Sequence, residues 1–156
     1  MRLIAIGKNK DRSLQQLQKE YIKRLSSFDT MEIVEVKDEP NVHTDRDKEV
    51  ELIKEKEGLR VLDKIKPSDW VILLDLKGKM LDSIDFAHKM QGWQDQGAHL
   101  VFVIAGSLGP SQALIDRADF RWKLSDLTFT HLMTRILVLE QVYRAFMINH
   151  HRQYHK

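Results

Sequence analysis

No cysteine occurs among the 156 residues. Its absence excludes disulfides, thiolate nucleophiles and cysteine-bearing metal sites together. Prolines number three and glycines seven, and no linker, repeat or low-complexity tract is visible. No apolar run approaches the ~20 residues that a membrane span needs. The opening Met1-Arg2-Leu3-Ile4-Ala5-Ile6-Gly7 is too short for the apolar core of a secretory signal and reads as a strand. With no export signal, the expected compartment is the cytoplasm. A dinucleotide-binding glycine fingerprint is also missing: Gly7-Lys8-Asn9-Lys10 follows the first strand instead. What remains is ordinary globular composition, 42% hydrophobic and 31% charged, and a length that suggests one domain spanning 1–156.

The net charge of +2 hides a segregation. Residues 1–30 carry seven basic and three acidic groups, and residues 31–69 carry eight and twelve. Residues 131–156 carry four basic groups, one acidic group and four of the seven histidines. Both ends are therefore cationic and the second quarter anionic. Basic ends attract polyanions, although a solvated lysine-rich helix gives the same count.

Apolar runs alternate with helical patterns along the chain. Arg2–Gly7 reads as a buried strand. Ser13 is the expected cap of a helix carrying Leu14, Leu17, Tyr21 and Leu25 on one stripe. Met31–Val36 alternates as a half-solvated strand does. Thr44 is the expected cap of a charged helix through Val50, Ile53, Val61, Leu62 and Ile65, whose continuity Gly58 weakens. Trp70–Leu76 is an apolar strand, expected to turn at Lys77-Gly78-Lys79. Phe86, Met90 and Trp93 mark a third helix ended by Gly97, and Leu100–Ile104 a further strand. A short helix over Ser111–Ala118, a brief strand near Arg121–Leu124 and a long helix from His131 to Asn149 complete the pattern. This β-α alternation predicts an α/β fold with a mostly parallel sheet flanked by helices.

Two loops sit where such sheets bind ligands, at the carboxyl ends of strands. Gly106 and Gly109 after the fourth strand permit a tight turn and close approach of a ligand to main-chain N–H groups. They serve equally as plain turn chemistry. Ser125-Asp126-Leu127-Thr128-Phe129-Thr130 precedes the last helix, with Thr130 as its expected cap. That helix is apolar at twelve of its first eighteen positions. Such coverage implies burial on two sides, the second expected against another copy of the chain, hence a homodimer. Its polar residues form two i,i+4 pairs, His131 with Arg135 and Glu140 with Arg144. The second is in the favourable order for a helical ion pair. In the tail, His150 and His151 are adjacent, which is not the spacing that puts two ligands on one helical face. With no cysteine and no nearby carboxylate, no metal is expected. Tyr154 and His155 suit stacking on a base and handling its proton.

Taken in order, the glycine loop, the Leu-Ser-x-Leu-Thr-Phe loop at 124–129, His131…Arg135, Glu140-Gln141-Val142-Tyr143-Arg144-Ala145 and Tyr154-His155-Lys156 closely resemble the ribosomal RNA large subunit methyltransferase H family of the SPOUT superfamily. The opening Ala5-Ile6-Gly7-Lys8 and Glu55-Lys56-Glu57-Gly58 are similar too, so the resemblance covers essentially the full length. It implies S-adenosylmethionine-dependent methylation of N3 of a pseudouridine in 23S rRNA. A chain this small lacks room for a separate RNA-binding domain, so the assembled ribosome is the expected substrate. The resemblance also implies an obligate homodimer, a carboxyl-terminal trefoil knot, and neither DNA nor membrane as partner. Carried over residue by residue, Leu74, Ala105, Gly106, Gly109 and the loop Leu124, Ser125, Asp126, Leu127, Thr128 and Phe129 would hold the cofactor, with His131 supporting that loop. Ala105 stands where the family has glycine, which fits only with φ < 0 and a methyl that does not crowd the ligand.

The imide N3 attacks a sulfonium methyl well only after losing its proton. His155 is the first expectation for the base and Glu140 the second. Arg144 and Arg135 would stabilise the anion or hold a phosphate, and Tyr154 would orient the nucleobase. Two other readings fit parts of the pattern. One is a non-catalytic RNA- or ribosome-binding factor of the same fold, which predicts no cofactor affinity. The other is a small-molecule α/β enzyme, which predicts no salt-dependent ribosome binding.

Overall fold

The computed structural model describes residues 1–40 and 46–156. The elements run β1 (Arg2–Ile6), α1 (Arg12–Leu25), β2 (Glu32–Val36), α2 (Asp47–Leu62), β3 (Asp69–Met80), α3 (Ser83–Asp95), β4 (His99–Ile104), α4 (Gln112–Arg117), β5 (Phe120–Lys123) and α5 (His131–Asn149). Among the described residues five strands form one sheet in the order β2-β1-β4-β3-β5, and every pair is parallel. The α/β alternation read from the sequence is borne out.

Both faces of the central strands are buried, which explains their continuous apolar runs. Leu3, Ala5, Ile72, Leu74, Leu100, Phe102 and Ile104 point to the face covered by α1, α3 and α5. Ile4, Ile6, Val71, Leu73, Val101, Val103 and Ala105 point to the face covered by α2 and α4. The alternation is the period of two that a strand imposes. On the first face Phe86 stacks on Trp122 at a centroid distance of 4.2 Å. Burying side chains of this size contributes about 1.5–3 kcal/mol each. The cationic α1 and α5 thus share one face, and the acidic α2 lies on the other.

Local boundaries depart from the sequence reading in three places. The first helix is capped by Asp11, whose carboxylate accepts the Leu14 N–H at 3.0 Å, and not by Ser13. Asp11 sits three residues before that N–H, the spacing a cap needs, whereas Ser13 is already helical. The second helix is continuous through Gly58, while the expected cap Thr44 lies outside the described residues. Lys77-Gly78-Lys79 does not end its strand. It belongs to β3, which continues to Met80 with a register shift between Leu74 and Lys79 opposite Trp122. A Cβ at Gly78 would lie 2.6 Å from the Arg121 carbonyl carbon, so the glycine serves close strand approach rather than a turn.

Thr130 caps α5 as expected, accepting the Met133 N–H at 3.3 Å. Within one chain α5 buries one side, through Arg135, Ile136, Val138, Leu139, Val142, Ala145 and Phe146. Its opposite side, with Met133 and Leu137, stays partly open.

Candidate active site

The carboxyl ends of β3, β4 and β5 open into a cavity of about 930 Å³, within the size range of small-molecule sites. Nine of the ten residues expected to hold a cofactor line it: Leu74, Ala105, Gly106, Gly109, Leu124, Ser125, Leu127, Thr128 and Phe129. The tenth, Asp126, does not line it. Its side chain points to solvent and pairs with Lys123 at 2.5 Å. Gly109 adopts φ +90°, a conformation that favours glycine and lets the loop turn back before α4. Ala105 has no positive φ, and it is buried in the apolar cluster with Ile4, Ile6 and Val103. Alanine is accommodated there because that position belongs to the core.

His131 also lines the cavity. Burial, with Arg135⁺ beside it, lowers its pKa below the ordinary imidazole value. Its Nδ1 is buried without a partner among the described residues, an orphaned polar atom that a polar ligand would satisfy. Sequence reasoning missed Asp75 and Arg121 at the rim. Asp75 is buried, and its Oδ2 accepts from Arg121 Nε at 2.7 Å while its Oδ1 accepts the Lys77 N–H at 2.9 Å. An acid within the apolar run Trp70–Leu76 was the available signal, since buried carboxylates are rare unless paired.

A second polar group forms where the end of α5 meets the tail. Arg144 donates to Glu140 Oε1 through Nη2 at 2.6 Å and through Nε at 3.1 Å. The Tyr154 hydroxyl donates to the same oxygen at 3.2 Å. Arg144 Nη1 lies 3.2 Å from His155 Nδ1, and the guanidinium carbon sits 4.7 Å from the Tyr154 ring centre. An arginine can only donate, so Nδ1 of His155 is the acceptor there and a neutral ring carries its proton on Nε2. The hydrogen bond and charge of Glu140 raise the Arg144 pKa. Burial first, and then the charge of Glu140, raise that of Tyr154. The structure therefore brings together four of the five residues singled out for chemistry.

Arg135 is not among them. Its side chain is fully buried, with Nη1 2.5 Å from Glu35 Oε2 and Nη2 donating to the Gly7 carbonyl at 2.8 Å. The expectation that it holds a phosphate or an anion is corrected: both terminal nitrogens are engaged inside the fold, between α5 and the ends of β1 and β2.

Residues 1–155 match the family described as "Predicted SPOUT methyltransferase". The chain belongs to the SPOUT methyltransferases. It is similar to a Methanoregula boonei protein named "Putative ribosomal RNA large subunit methyltransferase H", with 46% identity over 100% of this chain and 99% of that protein. It is similar also to the "Ribosomal RNA large subunit methyltransferase H" of Carboxydothermus hydrogenoformans, at 43% identity over 99% and 98%. These full-length likenesses place the chain within the methyltransferase H group of the SPOUT family. A solved structure described as "a probable methylase family protein from Haemophilus influenzae Rd KW20" shares the fold, with a TM-score of 0.56, 10% identity, and 99% and 70% of the two chains covered.

Proposed function

We propose that this protein transfers a methyl group from S-adenosylmethionine to N3 of a pseudouridine in 23S rRNA, acting on assembled ribosomes in the cytoplasm as a homodimer of single-domain chains. The carboxyl-terminal trefoil knot belongs to the same reading. The observation that carries it is the convergence of nine implied cofactor residues on one cavity at the strand ends. The residues present fit the cofactor: a glycine loop for close main-chain approach, apolar walls from Leu74, Leu124 and Leu127, and the orphaned His131 Nδ1. When bound, the cofactor supplies an electrophilic methyl group.

The tail group supplies proton handling and charge. His155 Nδ1 takes the imide proton, exchanging its bond from Arg144 for one from the nucleobase. Arg144 then stands beside the imide oxygens and stabilises the anion. Tyr154 stacks on or orients the base, and Glu140 holds Arg144 in place and is the second candidate for the base. Arg135 supports the scaffold.

Within one chain these two parts are apart. The cavity reaches Thr134 of α5, whereas Glu140 and Arg144 lie six and ten residues further, about 9–15 Å along the axis at 1.5 Å per residue. None of the tail group lines the cavity. A second copy, docked through the exposed Leu76, Leu127 and Phe129 that line the cavity, would bring its tail to the first copy's cavity. Mixing Arg144→Ala chains with chains whose cavity is blocked, for example by Thr128→Trp, tests this. Restored methylation in the mixture supports completion in trans, and no restoration contradicts it.

A further inference from the structure

Sequence similarity singled out Glu55-Lys56-Glu57-Gly58, yet the function described so far gives that segment no task. In the structure Glu57 is buried on α2 at 4% exposure. Its Oε2 accepts the Glu39 N–H at 3.0 Å, and Glu39 is in turn paired with Arg60, one turn along the same helix. The carboxylate is thus braced. It lies directly behind the glycine loop: a Cβ at Gly106 would stand 2.9 Å from Glu57 Oε1, 3.4 Å from Oε2 and 3.4 Å from Ile6 Cγ2. The first separation is closer than real Cβ contacts come. Gly106 lines the cavity and Glu57 does not, so one glycine separates the carboxylate from the ligand space.

The neighbouring residue repeats the device. A Cβ at Gly58 would overlap Ser111 Oγ. Ser111 is buried and caps α4, accepting the Leu114 N–H at 3.2 Å. Two consecutive residues of α2 therefore seat both ends of the 106–111 loop. Main-chain donors hold a ligand only where their positions are set to a few tenths of an ångström, and rigid support from behind is how that is achieved.

We propose that Glu57 is a positioning residue of the cofactor site: its braced carboxylate is the post against which Gly106 is set, fixing the glycine loop at the cavity rim. The proposal rests on S-adenosylmethionine binding in that cavity. It concerns shape, and so a glutamine, which fills the same space and accepts the same Glu39 N–H, serves in its place.

Titration calorimetry of the full-length protein with S-adenosylmethionine, alongside thermal melting and amide NMR spectra of the ligand-free protein, tests it. Glu57→Ala and Gly106→Ala are each expected to weaken binding at least tenfold, and Glu57→Gln by less than threefold. The double variant Glu57→Ala/Gly106→Ala should bind no more than threefold worse than the weaker single variant, because both changes disturb one contact. The ligand-free amide signals of residues 105–109 should move in Glu57→Ala and stay in Glu57→Gln. Glu57→Asp withdraws the carboxylate by one methylene and carries the expectation of Glu57→Ala, should the alanine variant fold poorly. Binding by folded Glu57→Ala within threefold of wild type, equal losses in the glutamine and alanine variants, or multiplying single losses would each overturn the proposal. If wild type fails to bind, the cofactor reading itself fails. The ligand-free amide signals then still decide whether Glu57 seats the loop, and unmoved signals in Glu57→Ala would overturn that as well.

Discussion

Arg135 and Glu35 lie one hundred residues apart in sequence and meet with Nη1 2.5 Å from Oε2, where α5 packs against the ends of β1 and β2. The guanidinium is fully buried, while the Glu35 side chain keeps 33% exposure. The same carboxylate oxygen accepts the Asn9 N–H at 2.7 Å, so the pair ties α5 to β2 and to the loop after β1. Glu35→Ala would leave a buried cation with one carbonyl for company. The expected loss is about 3 kcal/mol of unfolding free energy, read as a lower urea midpoint with unchanged slope. A loss below about 0.5 kcal/mol would show that the pair contributes little.

Arg144 makes its contacts to Glu140 and His155 away from the cavity. Arg144→Ala is expected to lower methyl transfer by about 10²–10³-fold with S-adenosylmethionine affinity unchanged. His155→Ala should act similarly. Single-turnover rates with calorimetry separate the two quantities. Full turnover in both His155→Ala and Glu140→Ala would exclude either side chain as the base.

His131 has its pKa lowered by burial and by Arg135⁺. As pH falls through the ordinary imidazole range, the unfolded chain takes up the proton before the folded one. Stability therefore falls with acid from this residue and is fully present above that range. NMR titration should show the His131 ring protonating at lower pH than an ordinary imidazole. His131→Asn should flatten the corresponding part of the stability profile; an unshifted titration would contradict the assignment.

Gly78 faces the Arg121 backbone across the β3–β5 pairing. Gly78→Ala is expected to cost about 1–3 kcal/mol by overpacking and to weaken cofactor binding, because Asp75, Lys77, Arg121 and Trp122 all border the cavity. Melting and calorimetry on the same preparation check both effects.

Strand positions and sheet direction were legible because both faces of β1, β3 and β4 are buried, which writes unbroken apolar runs into the sequence. The cavity was legible because its loops fall between a strand and a helix. Lys77-Gly78-Lys79 misled because charge and glycine are turn signals, whereas here the glycine answers to a neighbouring backbone that no local pattern reveals. Arg135 misled for a related reason. Helical spacing places it one turn from His131, but only the fold shows that Glu35 and Gly7 occupy the space in front of it. Glu57 carried a faint mark, standing four residues before the buried Val61 on the same helical face.

The central claim is methyl transfer to N3 of a 23S rRNA pseudouridine. Mass mapping of rRNA from cells with and without this gene, with purified protein and S-adenosylmethionine added back to assembled ribosomes of the deficient strain, tests it most directly. The account predicts that one pseudouridine loses a single methyl group in the deficient strain and regains it at N3 on add-back. An identical modification map in the two strains, or methyl transfer restored at any other atom, would contradict it.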